Sequence, residues 1–350
     1  MAGHDHGSLE RQAWGTVLPA RVGPRSAVVG TGRCLPARAY RNDEFPASLQ
    51  TSDEWIRTRT GIHERRLTGE GETSFTLGLE ASRLALEAAA LHPEEIDLVI
   101  CATVTPETLV PCNAARFQGA LGCRPVGAFD VNGACTGFIH ALMIADQFIN
   151  TGTARHVLVV GAEVLSRAVD FTDRNSCILF GDGAGAVVLS PTEAEGRGLR
   201  WARIYSDGTR GDLIWMPSTV TGTSPVLEPK QVGPTRYLTL NGREVFRFAV
   251  RALVQLVREA LEAAPPPAGG KLLLVPHQVN QRILDTALAE LKMDPSQVVV
   301  NLNRYGNTSA ASIPMALDEA VKEGRLQRGD SILFAAFGGG LSWGGVMMGY

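Results

Sequence analysis

Three things are scarce in this chain of 350 residues, and each absence excludes a class of function. Charge of one sign is the first. Lys and Arg number 33 against 36 Asp and Glu, a net charge of −3, which provides no electrostatic footprint for nucleic acid or an acidic membrane. Closely spaced cysteines are the second. Cys34, Cys101, Cys112, Cys123, Cys135 and Cys177 include no CxxC pair, and their scatter argues against a disulfide framework or structural zinc. Cys101 lies inside the apolar run LVICATV and reads as core. Long apolar runs are the third. No segment approaches the length of a membrane span. The N-terminal MAGHDHGSLERQ has no apolar centre, so neither a signal peptide nor an anchor is expected. His4 and His6 fall in a segment, residues 1–26, that reads as a disordered extension, and they are expected to be solvated rather than metal ligands. A soluble cytoplasmic protein follows as the expectation, with no membrane and no nucleic-acid partner.

What is present is an α/β pattern. With 45% hydrophobic residues the chain can bury a full core, as two domains or one duplicated unit. SAVVGTGRCLP reads as a strand and glycine turn, Glu80 to Ala90 as a helix, DLVICATVT as a buried strand and Asn113 to Leu121 as a helix. HVLVVGAEV is a further strand. LLLVPH, NQRILDTALAELKM, VVVNLNRYGNTSAASIPMALDEAV and SILFAAFGGG repeat that order. IHAL (139–142) placed over PMAL (314–317) gives an offset of 175, half the chain, so an internal duplication is expected. The halves, 27–200 and 201–350, should be layered α/β units packed as a pseudo-dimer. Residues 207–236 are rich in Gly, Pro, Ser and Thr and read as a functional cover or mobile segment.

Three strand-end turns carry chemistry. Gly127 to Val131 reads as a short buried strand. After Thr136, Phe138, Leu142, Ile144, Ala145, Phe148 and Ile149 recur at helical spacing. Cys135 therefore stands on a sharp turn at a helix start, where backbone N–H groups and the helix dipole should favour the thiolate. The same donors could hold an oxyanion formed from a thioester. His277 follows the strand LLLVP, and Asn307 sits on the turn NRYGNTSAAS. Taken singly, each has a bland reading, a buried thiol, a satisfied strand-end His and a capping Asn. Jointly they supply a nucleophile and two groups that can donate to an enolate oxygen, or a His that activates the thiol.

In TSDEWIRTRTGI (51–62), DVNGACTGF, TDR (172–174), FGDGAGA (180–186), VPHQVN (275–280), NRYGNTSAAS (303–312) and AFGGGLSWG (336–344), the chain resembles the β-ketoacyl-acyl carrier protein synthase III family. The match covers residues 27–350. The resemblance implies a duplicated thiolase-like fold in five layers, αβαβα, assembled as a homodimer. It implies decarboxylative Claisen condensation of an acyl-CoA starter with malonyl-acyl carrier protein, initiating fatty acid synthesis. CoA thioesters are substrates, and no cofactor or metal is implied. Cys135 would be the acylated nucleophile, His277 and Asn307 the pair on the malonyl thioester oxygen, and the N–H groups of Cys135 and Gly339 the oxyanion hole. Phe337 would lie against the malonyl carboxylate. Trp55 and Arg174 would sandwich the CoA adenine, Arg59 would meet a phosphate, and Asn280 would line the pantetheine tunnel. Arg247 and Arg282 match carrier-protein docking positions, but Ala289 and Glu290 replace positions that can be Lys. Val110 stands where acetyl-preferring members close the partner's acyl pocket with Phe. These departures leave room for a family member of secondary metabolism that condenses an unusual starter or transfers an acyl group without decarboxylation.

Rival classes fit less well. A papain-like cysteine protease would carry CGSCW, which is absent. GTGRCL (30–35) and GDGAGA (181–186) do not complete a dinucleotide-binding fingerprint and read as close-packed turns. A degradative thiolase needs a second cysteine beyond Cys177. Elongating synthases use two histidines where this chain has His277 and Asn307.

Overall fold

The computed structural model describes residues 23–217 and 237–350. The extension expected over 1–26, with His4 and His6, lies outside those residues up to position 22, as do positions 218–236 of the segment expected to be a cover.

The first half runs β1 (Arg25–Cys34), β2 (Arg38–Arg41), α1 (Asp53–Thr60), β3 (Glu64–Leu67), α2 (Ser74–Ala89), β4 (Leu98–Ala102), α3 (Asn113–Leu121), β5 (Gly127–Val131), α4 (Gly137–Asn150), β6 (Val157–Val164), α5 (Arg174–Cys177) and β7 (Asp182–Thr192). The second runs β8 (Gly198–Ser206), β9 (Ile214–Trp215), β10 (Thr239–Leu240), α6 (Gly242–Ala263), β11 (Leu272–Pro276), α7 (Gln281–Leu291), α8 (Leu302–Tyr305), α9 (Ser312–Lys322), β12 (Ser331–Gly338) and β13 (Ser342–Gly349). One sheet has the order β1-β7-β6-β4-β5 and the other β11-β12-β13-β8. Read from β8, the second sheet repeats the first, and its fifth strand is reduced to an isolated bridge between Leu274 and Val298. The strand expected over VVVN is that bridge.

Strand alternation builds the layers. Val157 and Val159 of β6 pack with Phe138, Leu142 and Ile313 in a core between the two sheets. Leu158 and Val160, on the opposite face, join Leu77, Leu86 and Phe117 of α2 and α3. Leu333 and Ala335 of β12 likewise meet Leu253, Leu256 and Leu284 of α6 and α7. Helices α4 and α9 are therefore a central layer, and the five-layer αβαβα arrangement is present.

Several local expectations change. Helix α2 starts at Ser74 rather than Glu80, because Thr73 caps it through Thr76 N and Thr76 bonds back to Thr73. Gly30 and Gly32 of GTGRCL lie inside β1, and Gly183 and Gly185 of GDGAGA inside β7, rather than in turns. A Cβ on Gly30 would stand 2.2 Å from Ala85 O, and one on Gly185 2.6 Å from Met315 N. They allow helices to pack against the sheet, and no phosphate-binding loop is formed. Strand β5 is present but is not buried: it is the sheet's edge, and every residue in it is partly or fully exposed.

Candidate active site

The turn that carries Cys135 is tighter than a plain helix start. Ala134, at φ 46°, bends the chain into a left-handed conformation and opens a 3₁₀ turn, Ala134–Thr136, that leads into α4. A non-glycine residue there is held against its own preference by roughly 1–3 kcal/mol, a strain found at sites where the surroundings over-determine the backbone. Those surroundings come from the second half. A Cβ on Gly338, the last residue of β12, would stand 2.7 Å from Cys135 Cβ and 3.2 Å from its Sγ, so only glycine fits. Gly339 follows beside Ala134. The Thr136 and Ser342 hydroxyls lie 2.8 Å apart, and Ser342 donates to Gly339 O at 2.8 Å, tying the two turns together.

His277 leaves the end of β11 and donates its backbone N–H to Ala335 O at 2.8 Å. The next residue, Gln278, locks the strand end. Its amide donates to Pro276 O and Val299 O, and its carbonyl accepts from Asn301 N and Leu302 N. The imidazole meets Phe337 edge-on, with ring centroids 5.6 Å apart. His277 Nδ1 lies 2.8 Å from Ser312 Oγ, and Ser312 Oγ is also 2.8 Å from Ser309 O. The single Ser312 proton can serve one of these partners. Turned to Nδ1, it leaves Nε2–H as a donor; turned to Ser309 O, it leaves Nε2 as an acceptor.

Asn307 is set by two backbone bonds, its N–H to Leu179 O at 2.8 Å and Gly181 N–H to its own carbonyl at 3.0 Å. Its Oδ1 accepts from Ser309 N at 2.9 Å, which leaves the Nδ2 hydrogens as the outward donors. Ser309 stands at φ 47°, in the same left-handed conformation as Ala134. Asn307 and His277 are thus joined through Ser309 and Ser312.

The electrostatics correct one expectation. Burial pushes the Cys135 thiol up to about 12, with Ser309 pulling it down and the Glu163 charge adding to the rise. The start of α4 does not offset the loss of water, so the resting group is a thiol, not the expected thiolate. Burial also lowers His277 to about 3. At neutral pH the pair is thiol and neutral imidazole.

Further out, the Arg59 guanidinium lies 4.1 Å and that of Arg174 5.0 Å from the Trp55 ring centroid. Arg174 also donates to Gln50 O. Asn280 caps α7 by accepting from Arg282 N at 2.9 Å, and its amide donates to Arg59 O, so it fastens α1 to α7. Arg247 is paired with Glu244 at 2.7 Å, Arg282 reaches over Phe246, and Glu290 is held by Arg258. Val110 is 89% exposed and Leu109 59%.

Gly338, Ser309, Ser312 and Glu163 escaped the sequence reading. Gly338 adjoins a residue already singled out, and NTSAAS displayed both serines, so a signal existed for those three. Nothing local marks Glu163, whose partners are distant in sequence. Among the described residues, no group of three or more His, Cys, Asp or Glu could hold a metal ion, and no helix is long and apolar enough to cross a membrane.

The model of 3-oxoacyl-[acyl-carrier-protein (ACP)] synthase III matches residues 129–208, and that of its C-terminal region matches 272–350. The beta-ketoacyl-[acyl-carrier-protein] synthase III of Xylella fastidiosa (strain 9a5c) is 45% identical over 92% of this chain and 98% of its own length. The solved 3-oxoacyl-[acyl-carrier-protein] synthase III of Aquifex aeolicus VF5 is 44% identical with a TM-score of 0.85, covering 93% of this chain and 100% of that one. The priming beta-ketosynthase of the R1128 polyketide pathway is 38% identical with a TM-score of 0.83, covering 94% and 98%. Likeness of this extent settles the family: the chain belongs to the beta-ketoacyl-[acyl-carrier-protein] synthases III, condensing acyltransferases of the thiolase fold.

Proposed function

We propose that the condensation runs through Cys135 in two steps. An acyl-CoA first transfers its acyl group to the Cys135 sulfur and CoA leaves. Malonyl-acyl carrier protein then binds and loses CO₂, and the resulting carbanion takes the acyl group to give the 3-oxoacyl-carrier protein. The observation that carries this reading is the meeting of three turns, Cys135 pressed against Gly338, and Asn307 joined to His277 through Ser309 and Ser312.

The N–H groups of Cys135 and Gly339 hold the oxyanion of the first step. Asn307 Nδ2 and the Nε2–H form of His277 donate to the enolate oxygen of the second, each donor contributing roughly 10²–10³ in rate. Phe337, 2% exposed beside His277, gives the malonyl carboxylate an apolar neighbour, so that release of CO₂ relieves an unfavourable charge. Trp55 offers a ring for the CoA adenine beside Arg174, and Arg59 supplies positive charge for a phosphate. Asn280, at the α1–α7 junction, borders the pantetheine.

The working form is a homodimer, divided in each chain near residue 200 into two thiolase-like units. Exposed Val110 and Leu109 and the open edge of β5 are the surfaces a second copy covers. Val110 then closes the partner's acyl pocket. Arg282, with Arg247, receives the acidic carrier protein. Because Arg247 is already paired with Glu244, and Glu290 with Arg258, this face is less basic than its arginines suggest. That observation favours a second reading, a specialised carrier or starter in secondary metabolism.

The two half-reactions test the roles. Asn307→Ala should keep most acyl loading and lose malonyl decarboxylation by about 10²–10³. Equal loss of both would mean that Asn307 serves only to hold Ser309 N.

A further inference from the structure

Strand β12 ends in three glycines, Gly338, Gly339 and Gly340, none of which has a side chain to fix its backbone. Contacts from elsewhere in the fold must do so. Gly338 is packed against Cys135, since a Cβ there would stand 2.7 Å from Cys135 Cβ. Beyond the far end, Asp207 N–H donates to Leu341 O at 2.8 Å and Leu341 N–H to Asp207 O at 3.0 Å. Gly339 lies between these two anchors. The side chain that holds it is Ser342, at the start of β13, whose Oγ donates to Gly339 O at 2.8 Å.

Ser342 is set in turn by the residue that follows Cys135. Thr136 Oγ1 lies 2.8 Å from Ser342 Oγ and 2.6 Å from Gly133 O. Both hydroxyls are buried, Thr136 completely and Ser342 with 5% exposure. They have two protons for three contacts. Gly133 O already accepts the Thr136 N–H at 3.0 Å, so the Thr136 hydroxyl is free to turn to Ser342. The Ser342 proton is then committed to Gly339 O. The reverse order would put a second donor on Gly133 O and take the hydroxyl away from Gly339 O. The pair thus forms a directed chain from the turn of one half to the loop of the other, across 206 positions of sequence.

We propose that the Thr136 and Ser342 hydroxyls position Gly339 for acyl loading, holding its N–H in register with that of Cys135. This rests on the reading of Cys135 as the acylated residue and of those two N–H groups as its oxyanion hole. Neither hydroxyl touches a reacting atom, and both are positioning residues. The consequence is selective. The hole serves the oxyanion of the first step, whereas the enolate of the second is held by Asn307 and His277 from other turns. A misplaced Gly339 slows loading and leaves decarboxylation alone. Alkylation of Cys135, which forms no oxyanion, is spared as well.

The test is single-turnover acyl-CoA loading on the whole protein, with two reactions followed in parallel: CO₂ release from malonyl-acyl carrier protein without acyl-CoA, and alkylation of Cys135 by iodoacetamide. Ser342→Ala should lower the maximal loading rate by about 10²-fold, the effect of a donor displaced by about 1 Å, at an unchanged half-saturating acyl-CoA concentration. Thr136→Val keeps the donor to Gly339 O but frees its rotation, and should cost about tenfold. Thr136→Ser, which restores the hydroxyl, should recover most of that loss. The double variant Thr136→Val/Ser342→Ala should be no slower than Ser342→Ala, because the first hydroxyl acts only through the second. Both parallel reactions should keep their wild-type rates in Ser342→Ala. Loss of alkylation in step with loading would place the effect on the thiol and overturn the proposal. Equal loss of loading and decarboxylation, a rise in half-saturation at unchanged maximal rate, additive losses in the double variant, or wild-type loading in Ser342→Ala would each overturn it too. Absence of loading on wild-type Cys135 would remove the underlying reading, and the proposal with it.

Discussion

At the start of α4 and at the start of α9 the backbone makes the same bend. Ala134 at φ 46° and Ser309 at φ 47° each open a three-residue 3₁₀ turn that runs straight into a helix, 175 positions apart. The second residue of the first elbow is Cys135, and of the second Ala310. Each elbow is pressed against the strand end of the other half. Gly338 of β12 faces Cys135, and Gly161 of β6 faces Ala310. Duplication preserved the bend and its cross-packing, and the chemistry then separated. One elbow presents Cys135 over a glycine, and the other presents a small residue, with Ala310 O 2.4 Å from where a Gly161 Cβ would be.

The largest effect should come from moving the sulfur between elbows. Cys135→Ala should reduce acyl loading by at least about a thousandfold. Adding Ala310→Cys should not restore it, because that position lacks the Gly339 donor and is sealed by β6. Loading at position 310 in the double variant, seen by peptide mass mapping, would mean that the elbow alone suffices.

Gly338→Ala comes next. Its methyl would meet Cys135 Cβ at 2.7 Å and force the elbow to shift. A displacement of about 1 Å costs on the order of 10²-fold in rate, so loading should fall by about that much while the folded state persists. Little change in single-turnover loading would show that the elbow tolerates movement.

Glu163 predicts a smaller effect on stability. Its carboxyl, raised by burial from an ordinary 4.5 to about 7, contributes stability below pH 4.5 that is lost as pH rises through 7, a change of about 3 kcal/mol. Denaturant unfolding of the wild type should therefore show a decline between pH 5 and 8 that Glu163→Gln lacks. Identical pH profiles would mean that the carboxyl is not buried as described.

The smallest effect concerns a region that the elbows do not control. Val110 has about half the side-chain size of Phe, and each added methylene buried in a deeper pocket gains about 0.8 kcal/mol, a few-fold per carbon. Branched or medium starters of about four to eight carbons should compete with acetyl-CoA, and Val110→Phe should shift preference towards acetyl by a few-fold per carbon removed. Unchanged preference would assign starter choice to the pocket's other walls.

Much of the fold was legible because alternation and helical spacing report which faces are buried, and the 175-residue offset showed in IHAL and PMAL. Cys135 and His277 could be singled out because each follows the end of a strand, whereas Asn307 follows helix α8, a short turn that the expected strand over VVVN concealed. Exposure of β5 could not be read, since an edge strand and a central strand have the same local pattern. The thiol's resting state was also hidden. A helix start is visible in sequence, but the burial that outweighs it comes from residues of the other half such as Gly338, 203 positions further along the chain. Glu163 lay beyond reach because its partners, Thr103 to Thr105, lie 58 to 60 positions away in the chain.

The most direct measurement is the site of acylation. Wild-type protein incubated with an acyl-CoA, digested and mapped by mass spectrometry should carry one acyl group, on the peptide containing Cys135, with one equivalent of free CoA released. An acyl group on Cys112 or Cys177, or CoA release without any adduct, would contradict the account.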